Sequence, residues 1–202
     1  MMNQVILRIA SFDEIEINKR EALRYLGYKN YQPADTDGLF DVATAVLKNA
    51  SHLKSCYRET EIKINDDEID FGFCKIKSRD LTKNLSGCQK AFVFAATLGS
   101  GVDRAIMKYE KIEPSKAVVI DALSSAAIEG LCNLLNGELS KGRKTRPRYS
   151  PGYGDVPLTY QKDFLNFLDA QRKMGLTLTD TFFMSPTKSV TAIIGIETED
   201  EQ

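Results

Sequence analysis

Histidine and tryptophan are nearly missing from this sequence: His52 is its one histidine among 202 residues, and tryptophan does not occur. A metal site built from several histidines is therefore excluded within the chain. A catalytic triad that needs any histidine other than His52 is excluded as well. His52 lies in the polar segment SHLKSC, which favours an exposed side chain. We accordingly assign no catalytic residue and no metal ligand.

Cysteines are few and scattered. Cys56, Cys74, Cys88 and Cys132 form no CxxC pair, so their spacing argues against both a zinc site and a disulfide framework. The N-terminal residues, MMNQVILRIASFDEIEI, lack the basic flank, long apolar stretch and cleavage site of a secretory signal. No apolar run approaches the roughly 20 residues of a spanning helix. We expect a reduced, cytoplasmic protein.

Neither sign of charge is in excess, since 27 basic and 28 acidic residues give a net charge of −1. Bulk electrostatics therefore favour neither nucleic acid nor an anionic membrane surface, and we predict no partner of either kind. Hydrophobic residues make up 43% of the chain. That share is ordinary for a soluble protein with a buried core.

The strand patterns occur as a hairpin or singly between helices, without regular βαβ alternation. Residues 57–64 and 68–76 alternate apolar and polar side chains around an Asn-Asp-Asp turn, which predicts a β-hairpin. The continuous apolar run 91–99, AFVFAATLG, is typical of a buried central strand. The sequence therefore predicts an α+β fold with a mainly antiparallel sheet.

We predict a single domain over residues 1–202, because no linker, repeat or low-complexity tract divides the chain. Its N-terminal part, 1–58, is expected to be helical, and 59–196 is expected to form the sheet-containing core. Asn18 is placed to cap a first helix that ends at Gly27. A second helix over 39–53 is expected to pack on it as a helical hairpin.

After the proline-rich segment near residue 150, the sequence predicts one amphipathic helix and two strands. Residues 158–175 have the periodicity of a continuous helix with one apolar face. Residues 176–184 and 189–197 are predicted to form two strands of the sheet.

A glycine-containing turn, TLGSG at 97–101, lies between the apolar strand and a helix. Exposed amides at the start of a helix attract anions, so the turn could bind a phosphate. It lacks the third glycine of a dinucleotide fingerprint and the Lys-Ser/Thr pair of a P-loop. We favour a plain strand-to-helix turn.

The longest helical pattern runs from Pro114 to Gly142 and is rich in small residues. Asp121 and Glu129 are eight positions apart and so lie on roughly the same face. Either both acids are solvated, or one of them meets a polar ligand.

The segment RPRYSPGYGDVP, residues 146–157, is stiff, aromatic and basic. Its prolines fix the backbone while its glycines allow tight turns. Arg148 offers a planar fork for a carboxylate or phosphate, Tyr153 offers a ring face and a hydroxyl, and Asp155 offers a carboxylate. The segment is therefore either a ligand site or a rigid surface loop.

The spacing R-x-x-x-G-Y-x-x-x-P, formed by Arg148, Gly152, Tyr153 and Pro157, resembles the signature of the S-adenosylmethionine (AdoMet)-binding activation domain of cobalamin-dependent methionine synthase. The similarity continues in GLTLTDTFFMSPTKSVTAIIGI, where four residues match the family pattern: Met184, Pro186, Ser189 and Val190. It extends in pattern over about residues 60–196 and is specific over about 146–190. The family implies a twisted antiparallel sheet with flanking helices.

The resemblance also implies a function. Such a domain presents AdoMet to an oxidised cobalamin, and one electron from a flavodoxin-like reductant accompanies the methyl transfer. Arg148 would bind the methionyl carboxylate, and Tyr153 would lie near the sulfonium or the ribose-adenine end. Gly152 and its neighbour Ser150 would supply backbone contacts. Two acids complete the set: Glu129 at the polar end and Asp155 beside the sulfonium.

The cobalamin would come only with a partner, a corrinoid-carrying methyltransferase, because the chain has no D-x-H-x-x-G loop. The chain would then be a component of methionine synthase activity that is not catalytic alone. Since the sequence ends soon after Ile196, we expect no counterpart of the family's further C-terminal segment. Two alternatives stay open: an accessory or ligand-binding subunit that keeps the fold without AdoMet-dependent activity, and an independent methyltransferase.

Overall fold

The computed structural model describes residues 4–28 and 37–197, and it confirms the α+β class. A four-stranded antiparallel sheet runs through the middle, with strands in the order β1-β2-β6-β9. Its strands are β1 (Ile6–Ile9), β2 (Lys54–Glu61), β6 (Cys88–Thr97) and β9 (Ser189–Glu197). Helices and small hairpins cover both faces of this sheet.

Strand β6 is the predicted central strand, and its continuous apolar run is explained by burial on both faces. Phe92 and Phe94 point into a core beneath the long helices. Ala91, Val93 and Ala95 point into a second core on the opposite face.

The first core lies under four helices: α1 (Lys19–Tyr25), α2 (Asp37–Ala50), α4 (Ser100–Ile112) and α5 (Pro114–Leu139). The Asn18 side chain accepts hydrogen bonds from the amides of Arg20 and Glu21, which confirms the predicted cap. Helices α1 and α2 both pack chiefly against α5, so the predicted helical hairpin is replaced by two separate contacts with the long helix.

Helix α5 is long and apolar enough to cross a membrane by length and composition alone. However, 67% of its most apolar window is buried inside the protein. The buried side chains contact the sheet and the neighbouring helices, so α5 is the central helix of the core.

The second core lies under shorter elements. A small antiparallel sheet lies here, with strands β3 (Lys63–Asn65), β4 (Glu68–Asp70) and β5 (Lys75–Lys77). The predicted hairpin is confirmed only around its Asn-Asp-Asp turn, where β3 pairs with β4. Residues 57–61 of its first predicted strand belong to β2 in the main sheet, and its second predicted strand is divided between β4 and β5. Three short helices also cover this side: α3 (Arg79–Asn84), α6 (Gln161–Phe167) and α7 (Ala170–Met174). A small hairpin completes it, with two-residue strands β7 (Thr177–Leu178) and β8 (Met184–Ser185).

The prediction of a single helix over 158–175 is wrong, because the helix is interrupted between α6 and α7. Asp169 has a left-handed backbone with φ of 50°. Leu168 and Ala170 are both fully buried. Residues two apart point about 200° away from each other in a continuous helix, so the break lets both reach the core.

The strand predicted over 176–184 is also wrong. Strands β7 and β8 pair with each other and stay outside the main sheet. In this pairing Thr177 lies opposite Ser185, and Leu178 lies opposite Met184. The segment doubles back at Phe182, whose φ is 63°. Of the two predicted C-terminal strands, only β9 joins the main sheet.

The division predicted at residue 58 falls inside β2. Strand β1 pairs with β2, and β2 pairs with β6, so the N-terminal part contributes directly to the sheet.

Candidate functional site

The proline-glycine-tyrosine segment begins as a short extension of the sheet. Tyr149 and Ile193 exchange both backbone hydrogen bonds, at 2.9 and 2.8 Å, along the free edge of β9. Two residues later comes Pro151, which has no amide hydrogen and cannot continue the ladder. The segment leaves the sheet there, and the edge of β9 before Ile193 stays open beside it.

Beyond Pro151 the segment closes into a compact loop. The amide of Gly152 donates to the carbonyl of Val156 at 2.9 Å, and the amide of Val156 donates to the carbonyl of Tyr153 at 3.1 Å. Gly152 has φ of 90° and Gly154 has φ of 52°. Both values lie in the left-handed region, which disfavours most side chains and so favours glycine at these turns.

A groove of about 500 Å³ lies between this loop, helix α5, the start of α6 and the open edge of β9. Five of the six predicted ligand residues line it: Glu129, Arg148, Ser150, Gly152 and Tyr153. Apolar side chains of Leu158, Met184 and Val190 form part of its wall. The structure therefore brings most of the predicted site together in one place.

An ion pair between Arg148 and Glu129 lies at the α5 side of the groove. One Arg148 terminal nitrogen donates to the Glu129 carboxylate, and the other donates to Asn133 Oδ1 at 2.7 Å. Both side chains are partly exposed, at 26% for Arg148 and 42% for Glu129. The pair thus presents one cation and one anion side by side to an incoming ligand.

Asp155, the sixth predicted ligand residue, does not line the groove. Its carboxylate accepts hydrogen bonds from the Ser78 hydroxyl and from the amides of Arg79, at 2.8 Å, and Asp80, at 3.4 Å. These bonds, above all the one from Ser78, lower the pKa of Asp155 below its ordinary value. Instead of facing the groove, the predicted sulfonium acid anchors the loop to the start of α3.

Asp121 and Glu129 lie on one face of α5, as predicted, and neither is simply solvated. Asp121 pairs with Lys188 at 2.8 Å, while Glu129 pairs with Arg148. Both acids therefore connect the long helix to segments from the C-terminal part of the chain, and Glu129 alone of the two lines the groove.

Two polar groove residues were missed by sequence reasoning: Gln161 and Thr191. They are 6% and 1% exposed. Gln161 Oε1 and Thr191 Oγ1 are buried and have no hydrogen-bond partner among the described residues. A signal for Gln161 was present, because it precedes the buried Phe164 by three positions and so places an amide on the apolar face of the helix.

Neither a metal site nor a reactive cysteine finds support in the described ranges 4–28 and 37–197. No group of three or more His, Cys, Asp and Glu side chains there is arranged to hold a metal ion. All four cysteines are free. Burial raises the pKa of Cys56, Cys74 and Cys132 to about 12, so these thiols are unreactive.

Comparison with known proteins points to one family. The family model described as "Vitamin B12 dependent methionine synthase, activation domain" matches residues 132–201, which include the whole loop and the groove residues that follow it. This match confirms the resemblance predicted from the sequence. A search of curated proteins found no match.

Solved structures extend the likeness to the whole chain. The crystal structure of the MetH reactivation domain bound to AdoHcy aligns with a TM-score of 0.75 at 14% sequence identity. The alignment covers 100% of this chain and 81% of that chain. The fold is therefore that of the reactivation domain.

Proposed function

We propose that the groove binds AdoMet and that the protein supports reductive methylation of the cobalamin of a corrinoid-dependent methyltransferase. The Arg148–Glu129 pair carries this proposal. An amino acid bears an ammonium and a carboxylate on one carbon, so its two charges match a neighbouring anion and cation. Arg148 would hold the carboxylate through its fork, and Glu129 would hold the ammonium.

The loop would fix the rest of the ligand. Ser150 and Gly152 would approach with backbone groups, since glycine permits a close contact that a side chain would block. Tyr153 is 70% exposed at the rim of the groove, which leaves its ring free for a contact with a cationic ligand. Asp155 would act indirectly by holding this loop on α3.

The exposed position of Tyr153 also favours access from outside. When bound, AdoMet supplies a methyl group activated by a positively charged sulfur, while this chain binds and orients it. The corrinoid would belong to a partner methyltransferase, and a one-electron reductant of the flavodoxin type would complete the system. Without these components we expect no methyl transfer.

The first experiment measures AdoMet binding by calorimetry for the wild-type protein, Arg148→Ala and Arg148→Lys. Loss of a charge-assisted hydrogen bond costs about 1.5–3 kcal/mol, which corresponds to roughly 10- to 150-fold in affinity. Arg148→Ala should show this loss, and Arg148→Lys should recover only part of it. Arg172→Ala is the matched control, because Arg172 is exposed and pairs locally with Asp169. Equal affinity for all four proteins would contradict the proposal.

The second experiment follows conversion of cob(II)alamin to methylcobalamin by absorption, with a corrinoid methyltransferase from the same cell and a one-electron reductant. Adding this protein and AdoMet should accelerate the conversion, and Tyr153→Ala should slow it. If AdoMet binds but no cognate corrinoid protein is ever accelerated, the accessory-subunit alternative replaces the reactivation role.

A further inference from the structure

The main sheet has two edges, and the described chain covers only one of them. Along β9, Tyr149 pairs with Ile193 and Thr145 pairs with Ile196. Along the outer side of β1, no backbone segment pairs within residues 4–28 and 37–197. An uncovered edge strand is a template for pairing with another chain. Strand β1 is therefore the place where the sheet can be extended.

The backbone of β1 offers hydrogen bonds at this edge. The amide of Ala10 donates to the carbonyl of Leu53 on the β2 side at 3.1 Å. In an antiparallel ladder this direction alternates along the strand, so the amides and carbonyls of Leu7 and Ile9 point away from β2. Val5, directly before the strand, falls at the next position of this alternation. These outward amides have no hydrogen-bond partner among the residues that the structure describes.

The same edge exposes apolar side chains. Leu7 lies opposite Cys56, which belongs to the second core. Residues two apart on a strand share a face, so Val5 and Ile9 lie on that face with Leu7. Leu7 is 39% exposed and Ile9 is 64% exposed, and Ile6 is exposed on the other face. The strand thus presents an apolar stripe beside free backbone groups.

We infer that β1 pairs antiparallel with β1 of a second copy of this chain, with Leu7 on the two-fold axis. The two four-stranded sheets then form one continuous sheet. In this register Val5 lies opposite Ile9 of the second copy, and the outward amides and carbonyls exchange hydrogen bonds. The apolar stripes of the two copies meet on one face. Because such a contact uses the same surface twice, it closes at a dimer.

Arg8 selects this register. A register with Arg8 on the axis would place two guanidinium groups directly opposite each other, which is unfavourable. With Leu7 on the axis, Arg8 lies opposite Ile6 of the second copy instead. The Arg8 guanidinium donates to the carbonyl of Ile9 in its own chain. That carbonyl has a second lone pair, so it can still accept a bond from the second copy.

The two ends of β1 differ in charge, which favours a second copy as the occupant. Residues 11–16, SFDEIE, follow the strand and carry three acids and no cation. The start of the strand borders a pocket of about 460 Å³ that is lined by three cations and two acids. One of these cations, Lys141, has no ion-pair partner among the described residues. Antiparallel pairing directs the acidic end of each copy toward the basic end of the other.

The inferred dimer is independent of the proposed function. The strand order β1-β2-β6-β9 places the two edges of the sheet at opposite ends. The groove lies at β9, so both grooves of the dimer stay open and far from the contact. Failure of AdoMet binding would therefore leave this inference standing, and a monomeric protein would leave the proposed function standing.

Sedimentation velocity measures the association. One short strand from each copy makes a small contact, so we expect a dissociation constant of about 1–100 µM. Leu7→Lys places two ammonium groups beside the axis and should raise this constant about tenfold or more. Ile112→Lys is the matched control, because Ile112 is an exposed apolar residue at the end of α4; it should not change the constant. A wild type that stays monomeric over this range, or a folded Leu7→Lys that dimerises as the wild type does, overturns the inference.

Cross-linking tests the register without a charged substitution. In Leu7→Cys the two new thiols lie opposite each other, so a thiol-reactive cross-linker should join the two copies. In Ile9→Cys the new residues lie about 13 Å apart along the strands, so a cross-linker shorter than about 10 Å should not join them. The wild type is the blank, because burial raises the pKa of its thiols. Cross-linking of Ile9→Cys but not Leu7→Cys, or of neither variant, overturns pairing about Leu7.

Discussion

Two glycine-containing turns of this protein have similar sequences and opposite surroundings. In TLGSG, the added Cβ of a residue at position 101 would overlap the carbonyl oxygen of Ala50, and one at position 99 would lie 3.3 Å from His52. In GYGD, Gly152 and Tyr153 line an open groove. Glycine in the first turn therefore lets one stretch of backbone pack against another, whereas in the second turn Gly152 lines the groove and Gly154 packs only against side chains.

The start of α4 is correspondingly occupied by the protein itself. The amide of Gly99 donates to the Thr97 hydroxyl at 3.1 Å, and the Asp103 carboxylate accepts from the amide of Thr187 at 3.1 Å. An acidic side chain at this position disfavours a bound anion. The contacts therefore favour the plain turn over the phosphate-binding alternative.

The largest effect is expected when the packed turn is changed. Gly101→Ala should destabilise the protein by about 3 kcal/mol, because a backbone carbonyl cannot easily move away from the new methyl group. Unfolding in denaturant measures this change. Gly137→Ala is the control, since Gly137 lies in α5 with no atom within 4 Å of its added Cβ. It should stabilise the helix by roughly 0.5–1 kcal/mol; equal effects of the two changes would contradict this view of the first turn.

A smaller loss of stability is expected in the second turn. In Gly154→Ala the new methyl group would overlap the Tyr149 hydroxyl and the Asp80 carboxylate, and the backbone would be strained at φ of 52°. Side chains can move, so we expect a cost of about 1–2 kcal/mol. The displaced loop should also weaken AdoMet binding, measured by calorimetry, whereas Gly137→Ala should not. Unchanged affinity would show that the loop does not shape the ligand site.

The next effect depends on pH. The pKa of Asp155 is lowered in the folded protein, so its contribution to stability is present above the ordinary carboxyl pKa and is lost as pH falls through the lowered value. Thermal unfolding of the wild type and Asp155→Asn should differ most at neutral pH, and the difference should shrink only as pH falls below the ordinary carboxyl pKa of about 4. Identical pH profiles would mean that the carboxylate does not anchor the loop.

The smallest effect on stability is expected at Tyr153. Because its side chain is 70% exposed, Tyr153→Ala should change the free energy of unfolding by no more than about 0.5 kcal/mol. The same variant should slow cobalamin methylation in the coupled assay. A large loss of stability would instead assign Tyr153 to the packing of the loop.

The fold class and most of the residues that line the groove could be predicted because they depend on local patterns. The apolar run of β6 and the Asn18 cap are visible in a few neighbouring residues. The motif at 148–153 carries its own backbone chemistry in its prolines and glycines. Cytoplasmic location stays a prediction, since free cysteines agree with a reducing environment but do not identify one.

Other features depend on residues far apart in the chain. The break at Asp169 follows from the need to bury both Leu168 and Ala170 beneath the sheet. The short β7–β8 hairpin replaces a strand that alternation alone predicted. Asp155 faces away from the groove because the start of α3, some 75 residues earlier in the chain, provides donors for its carboxylate.

The sequence by itself determined the α+β class, the central strand and the loop that lines the groove, because periodicity and turn residues act over a few positions. Tertiary structure alone decided which polar groups share the groove. Arg148 finds Glu129 on α5, and Gln161 and Thr191 come from different elements. Only packing can bring such residues together and bury them, because they are far apart in the chain and no local pattern relates them.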